Sequence, residues 1–188
     1  MATEFVPIGI GALAVLGLCA AVLYRWHVAA QSELERELDR RLAEELPVGT
    51  ASHLETSPSV RRLDVRESDS DGDGSGATYV PAVRIDLGTT DAPGMKLAFE
   101  FVAAVIEAIQ PVFDERDARV ARYDVEFTFG PGGLLVGGEC RCVSVSPTLA
   151  DRLLEDETYR AFDLKRDVER ADGDDSVSAL WEPCESGR

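Results

Sequence analysis

The chain has 188 residues with 35 acidic and 19 basic side chains, a formal net charge of −16, and room for one modest domain once anchor and linkers are set aside. Of the basic residues 17 are arginine and only two, Lys96 and Lys165, are lysine; this resembles the composition of salt-in halophilic archaea, where carboxylates hold water and screening removes their mutual repulsion. No stretch is basic enough to neutralise phosphates, which excludes nucleic acid as a partner.

Residues 5–24 carry no charge, and as a helix they would extend about 30 Å, the thickness of a hydrocarbon core. Pro7 falls in the first turn, and Tyr24 and Trp26 fall where an aromatic belt belongs. The sequence therefore predicts a transmembrane helix over 5–24. A cleaved signal peptide needs a positive start, and this one begins Met1-Ala2-Thr3-Glu4; a lipoprotein needs a small residue where Leu18 precedes Cys19. Gly9-Ile10-Gly11-Ala12-Leu13-Ala14 matches a dinucleotide-binding fingerprint, but the residues after it are apolar all round and lack the polar face of a surface helix. Arg25, Arg36, Arg40 and Arg41 come after the segment and no basic residue precedes it. The positive-inside rule then places residues 1–4 outside and the rest in the cytoplasm, as an uncleaved single-pass signal-anchor in the cell membrane, with the lipid bilayer as partner of 5–24.

Residues 25–46 read as a juxtamembrane stalk helix. Leu34, Leu38, Leu42 and Leu46 recur every four residues, a stripe that suits resting on a domain better than a heptad seam. Residues 47–76 form a flexible linker with a short strand over 60–67. Within it Asp69-x-Asp71-x-Asp73-Gly74 opens like a calcium loop, but Val80 stands where the twelfth-position carboxylate belongs. The run therefore reads as an acidic, disordered linker.

The domain covers 77–170. Val83, Ile85 and Leu87 alternate with Arg84 and Asp86 as a half-buried strand. Thr90 or Asp91 is placed to cap a helix running to about Gln110, which Pro111 ends or kinks. Tyr123, Val125, Phe127 and Phe129 alternate with polar residues in a second strand, and Gly130-Pro131-Gly132-Gly133 leads into a third, Leu134 to Val145. Ser146-Pro147 starts another helix, running to about Glu157 and resuming through Tyr159 and Phe162. Residues 171–188 form an acidic tail with an apolar patch at Val177, Leu180 and Trp181. The order is (β)βαββα, which predicts an α+β fold: an antiparallel sheet of three to four strands with two helices on one face.

Four cysteines are present, and Cys19 in the membrane segment leaves an odd number for the rest; this predicts free thiols in a reducing compartment. Cys140-x-Cys142 places two thiols on one face of a strand, half of a zinc or iron–sulfur site with Cys184 and His53 as distant completers. A second close-spaced pair is missing, so Cys140 and Cys142 stand as metal-ligand candidates only and the expectation is small core residues, with no metal and no cofactor. Glu139 and Arg141 are then expected to point outward, and Glu126 and Glu139 to form a hydrated surface. The histidines, His27 and His53, lie at the membrane edge and in the linker, and no G-x-S-x-G, H-E-x-x-H or Walker motif occurs. No catalytic residue is assigned and the chain reads as a non-enzyme. The functional expectation is a membrane-anchored cytoplasmic binding or scaffold module acting through a protein partner or self-association; the alternative is a metal- or small-ligand-binding sensory or enzymatic domain using Cys140 and Cys142.

Overall fold

A computed structural model describes residues 25, 29–49, 54–66, 77–131, 138–172 and 178–184. The chain divides into two compact units, Met1–Arg36 and Glu37–Arg188. In the first, residues 29–36 belong to a helix, α1 (29–45), where the Ser32 hydroxyl donates to the Ala29 carbonyl at 2.9 Å. In the second, the remainder of α1 buries Leu38 and Leu42 completely. Two polar contacts fix this stretch to the domain: the Val60 N–H donates to Asp39 Oδ1 at 2.7 Å, and Arg41 reaches Glu115 at 3.5 Å.

The second unit continues as β1 (Ser59–Arg66), β2 (Thr78–Asp86), α2 (Met95–Asp114), β3 (Arg119–Val120), β4 (Tyr123–Phe129), β5 (Glu139–Val145), α3 (Pro147–Glu155), α4 (Ala161–Ala171) and β6 (Ala179–Pro183). The strands form one sheet in the order β1-β2-β4-β5-β6, with β3 also paired to β2. The fold expectation is corrected here: the sheet has six strands and is mixed, and four helices accompany it among the described residues. The reason is α2. Its 20 residues carry the chain about 30 Å back along the sheet, so β4 enters beside β2 in the same direction and the two pair in parallel, as a crossover helix requires. The sequential neighbours β1/β2 and β4/β5 are antiparallel, as is β5/β6, which is connected through α3 and α4.

Two helix boundaries differ from expectation for local reasons. Pro93 disfavours helical geometry at Ala92, so α2 starts after Gly94 and not at Thr90 or Asp91. Pro111 sits inside α2, which runs on to Asp114; it lies on the exposed side, where water can satisfy the carbonyl that loses its amide donor. The inner side of α2 buries Phe99, Val102, Ile106, Ile109 and Phe113 against the face of the sheet that carries Val83, Ile85, Val125 and Phe127, all at most 1 % exposed. Tyr79 meets Phe113 ring to ring at 5.8 Å. The hydroxyl of Tyr123 donates to Gln110 in α2.

The membrane reading is corrected as well. Among the described residues no helix is long and apolar enough to cross a membrane. Residues 5–24, with the glycine fingerprint at 9–14, lie outside the described residues. A bilayer as partner, a signal-anchor and a single-pass topology with a cytoplasmic domain therefore find no spanning helix among the described residues, and the anchored scaffold that depends on them has no support there. The calcium-like run 69–74 and His53 also lie outside the described residues.

Candidate metal centre

Strand alternation sorts the side chains of β4 onto two faces. Tyr123, Val125, Phe127 and Phe129 meet the helices, and Asp124, Glu126 and Thr128 face the other way. The β4–β5 register pairs Thr128 with Cys140, Glu126 with Cys142 and Asp124 with Ser144. Both cysteines therefore lie on the polar face. This reverses the expected orientation: Glu139 and Arg141 lie opposite Phe129 and Phe127, on the face that bears the helices. Two glycines set the entry to β5. Gly130 has φ +105°, and a Cβ on Gly138 would stand 2.7 Å from the Phe129 carbonyl oxygen, so only glycine lets β5 approach β4 there.

The polar face is not the hydrated surface expected for Glu126. Asp124 and Glu126 are each only 3 % exposed, and a charge at that depth needs a partner. Arg84 supplies one, donating from Nε and Nη2 to Glu126 Oε2 at 3.2 and 2.8 Å. Arg122 donates to Asp124 Oδ2 at 2.8 Å, and the Ser144 hydroxyl donates to Asp124 Oδ1 at 2.7 Å. Both bonds to Glu126 fall on Oε2; Oε1 accepts none among the described residues.

Cys184 arrives on this face by way of β6. The apolar residues of the tail drive that strand onto the sheet edge: Trp181 stacks on Phe129 at 6.3 Å and packs against Phe127 at 5.7 Å. Beyond Pro183 the chain places Cys184 next to Cys140. The Cys184 N–H donates to the Cys140 carbonyl at 3.3 Å, and the two sulfurs form a disulfide across a Cα–Cα distance of 5.4 Å. The odd cysteine count concealed this pair. The inference from unpaired thiols to a reducing compartment loses its premise, and no compartment is assigned.

Glu126 completes a cluster. One carboxylate oxygen of Glu126 and the sulfurs of Cys140 and Cys184 all lie within 4.8 Å of one another. Of the cysteines named from the sequence, the structure thus brings Cys140 together with Cys184, expected only as a distant completer, and leaves Cys142 out of the cluster. Cys142 is free and half-buried. Burial, with the nearby Asp124 carboxylate second, pushes its thiol up to about 12. A thiol held protonated in this way is a poor nucleophile.

Two thiolates and a carboxylate are a donor set for a borderline-soft divalent ion such as Zn²⁺. Bonds of about 2.3 Å to each sulfur in tetrahedral geometry would set the sulfurs roughly 3.8 Å apart. That separation is compatible with the observed backbone spacing once the disulfide is reduced. Arg84, anchored on Oε2, would orient the ligating carboxylate and offset the net negative charge of the three ligands. A fourth position would be left for water or a small ligand.

No protein-family model matches the chain, and no curated protein or solved structure matches it.

Proposed function

We propose that this domain is a binding module for a thiophilic divalent ion, gated by the redox state of Cys140 and Cys184. The observation that carries the reading is the convergence of Glu126, Cys140 and Cys184 within 4.8 Å, on a face where Glu126 is already oriented by Arg84. With the disulfide formed, neither sulfur is a thiolate and the site is closed. A dithiol delivers two electrons and two protons to the pair and is itself oxidised to a disulfide; a divalent ion then displaces the two thiol protons. Metal affinity of the reduced form accordingly rises with pH as the thiols ionise. We read the domain as a binding module because what the cluster offers is a donor set for an ion, two sulfurs and a carboxylate.

Cobalt substitution tests this directly. Protein reduced with a phosphine and titrated with Co²⁺ should take up one equivalent and develop sulfur-to-metal charge-transfer absorption. The absorption should be lost in the oxidised protein and in Cys184→Ser, and binding should weaken at least about tenfold in Glu126→Gln. A reduced wild-type protein without that absorption, or with the same absorption as Cys184→Ser, would leave the disulfide a purely structural clasp.

A further inference from the structure

The only two lysines of the chain, 69 residues apart, line the same cavity. It lies between α2 and α4, holds about 390 Å³, and has Phe99 and Phe162 among its walls. Phe99 is buried, whereas Phe162 is 70 % exposed, an unusual position for a phenyl ring on so polar a surface. Three cations stand around this apolar space, Lys96, Lys165 and Arg160, against one carboxylate, Glu100. The lining is therefore net positive in a chain of net charge −16. Elsewhere this sequence uses arginine for every positive charge, so composition does not account for lysine here. The physical distinction is that a lysine stem extends an apolar wall while its ammonium, a mobile point charge, stays at the mouth.

We infer that this cavity binds an amphipathic carboxylate, a small molecule with an apolar body and a single anionic head. The body would lie between Phe99 and Phe162, and the head would meet Lys96 and Lys165 at the mouth. Lys96 is the more available of the two, with its side chain 90 % exposed and its nearest carboxylate, Glu100, at 3.9 Å; Lys165 pairs with Glu169 on α4 and would exchange or share that partner. The volume falls within the roughly 300–1,000 Å³ of small-molecule sites. Charge complementarity selects the anion: a neutral molecule of the same shape would leave the lysines unused, and a cationic one would be repelled. The cavity is separate from the cysteine cluster, which lies on the other side of the sheet, so binding here stands or falls independently of metal.

The test is calorimetric titration of the oxidised protein with sodium octanoate, with octanol and octylamine as neutral and cationic probes of equal length. Octanoate should bind saturably with one equivalent and at least tenfold more tightly than octanol, and octylamine should bind least. Lys96→Gln/Lys165→Gln should remove the octanoate preference, while the charge-keeping Lys96→Arg/Lys165→Arg should retain most of it; circular dichroism checks that each variant is folded. Equal binding of octanoate and octanol would overturn the proposal, as would the absence of saturable octanoate binding in folded wild-type protein.

Discussion

On the face of the sheet that meets α2, Val83, Ile85, Val125 and Phe127 are buried among apolar neighbours, whereas on the opposite face equally buried positions hold Asp124 and Glu126. The strands are the same and the depth is the same, but the two faces resist damage differently. Apolar burial is non-directional and spread over many contacts, so the helix face tolerates changes of shape and loses stability in proportion to the volume removed. The polar face depends on specific partners: removing one leaves a buried charge without its complement. A face of that kind contributes little net stability for its burial, but it fixes a carboxylate and two sulfurs in a defined arrangement.

The largest effect should come from the apolar side. Phe127 is fully buried and also supports Trp181 on β6. Phe127→Ala should cost about 3–5 kcal/mol in denaturant unfolding, with the loss of near-ultraviolet signal from Trp181 reporting release of the edge strand. A cost below about 1 kcal/mol would mean that this face is not the stabilising core.

On the polar side, Arg84→Met should cost about 1–3 kcal/mol, towards the lower end because the Arg84 side chain is 31 % exposed and water can enter in its place. The comparison sharpens in the double variant. Arg84→Met/Glu126→Gln removes both charges and should recover much of the loss, which no second substitution of that kind would do for Phe127→Ala. Strict additivity in the double-mutant cycle would show that the two residues are not coupled.

The smallest effect concerns Cys142. Its thiol is raised from an ordinary value of 9.0 to about 12 by burial first and Asp124 second. The folded protein therefore keeps this proton at pH values where the unfolded chain has released it. The associated stability is fully present below about pH 9 and declines as pH rises towards 12. Alkylation of Cys142 in folded protein at about pH 8.5 should be at least about tenfold slower than in denaturant, and Cys142→Ala should flatten the alkaline decline. Equal alkylation rates in the two states would place the thiol in solvent.

Much of this fold was legible from alternation and spacing. The periodic runs through Val83–Asp86, Tyr123–Phe129 and the apolar side of α2 lie in strands and a helix, Leu87 continues the first only as an isolated bridge to Leu54, and Ser146-Pro147 opens α3. What alternation does not encode is direction. A strand, a helix and another strand pair in parallel when the helix returns the chain to the end of the sheet at which the first strand began, and the 20 residues of α2 span that distance. The faces of β5 were harder, because Glu139-Cys140-Arg141-Cys142 places charge on one set and sulfur on the other, and cysteine is ordinarily the core residue. The partner strand overrides it: Phe127 and Phe129 draw Arg141 and Glu139 to their side by register, not by polarity. Cys184 was out of reach for a different reason. Its pairing with Cys140 spans 44 residues and depends on Leu180 and Trp181 acting as a strand, a role that a short apolar run in an acidic tail does not announce. Glu126 was visible as a residue but not as a buried one, since its burial comes with Arg84 on a strand 42 positions away.

The most direct measurement of the central claim is metal protection of individual thiols. Phosphine-reduced protein is incubated with and without one equivalent of Zn²⁺, alkylated for a fixed time, and mapped by peptide mass spectrometry. Zinc should protect Cys140 and Cys184 together, leave the slow labelling of Cys142 unchanged, and lose its effect on both in Glu126→Gln at limiting metal. Equal labelling of Cys140 and Cys184 with and without zinc would contradict the account.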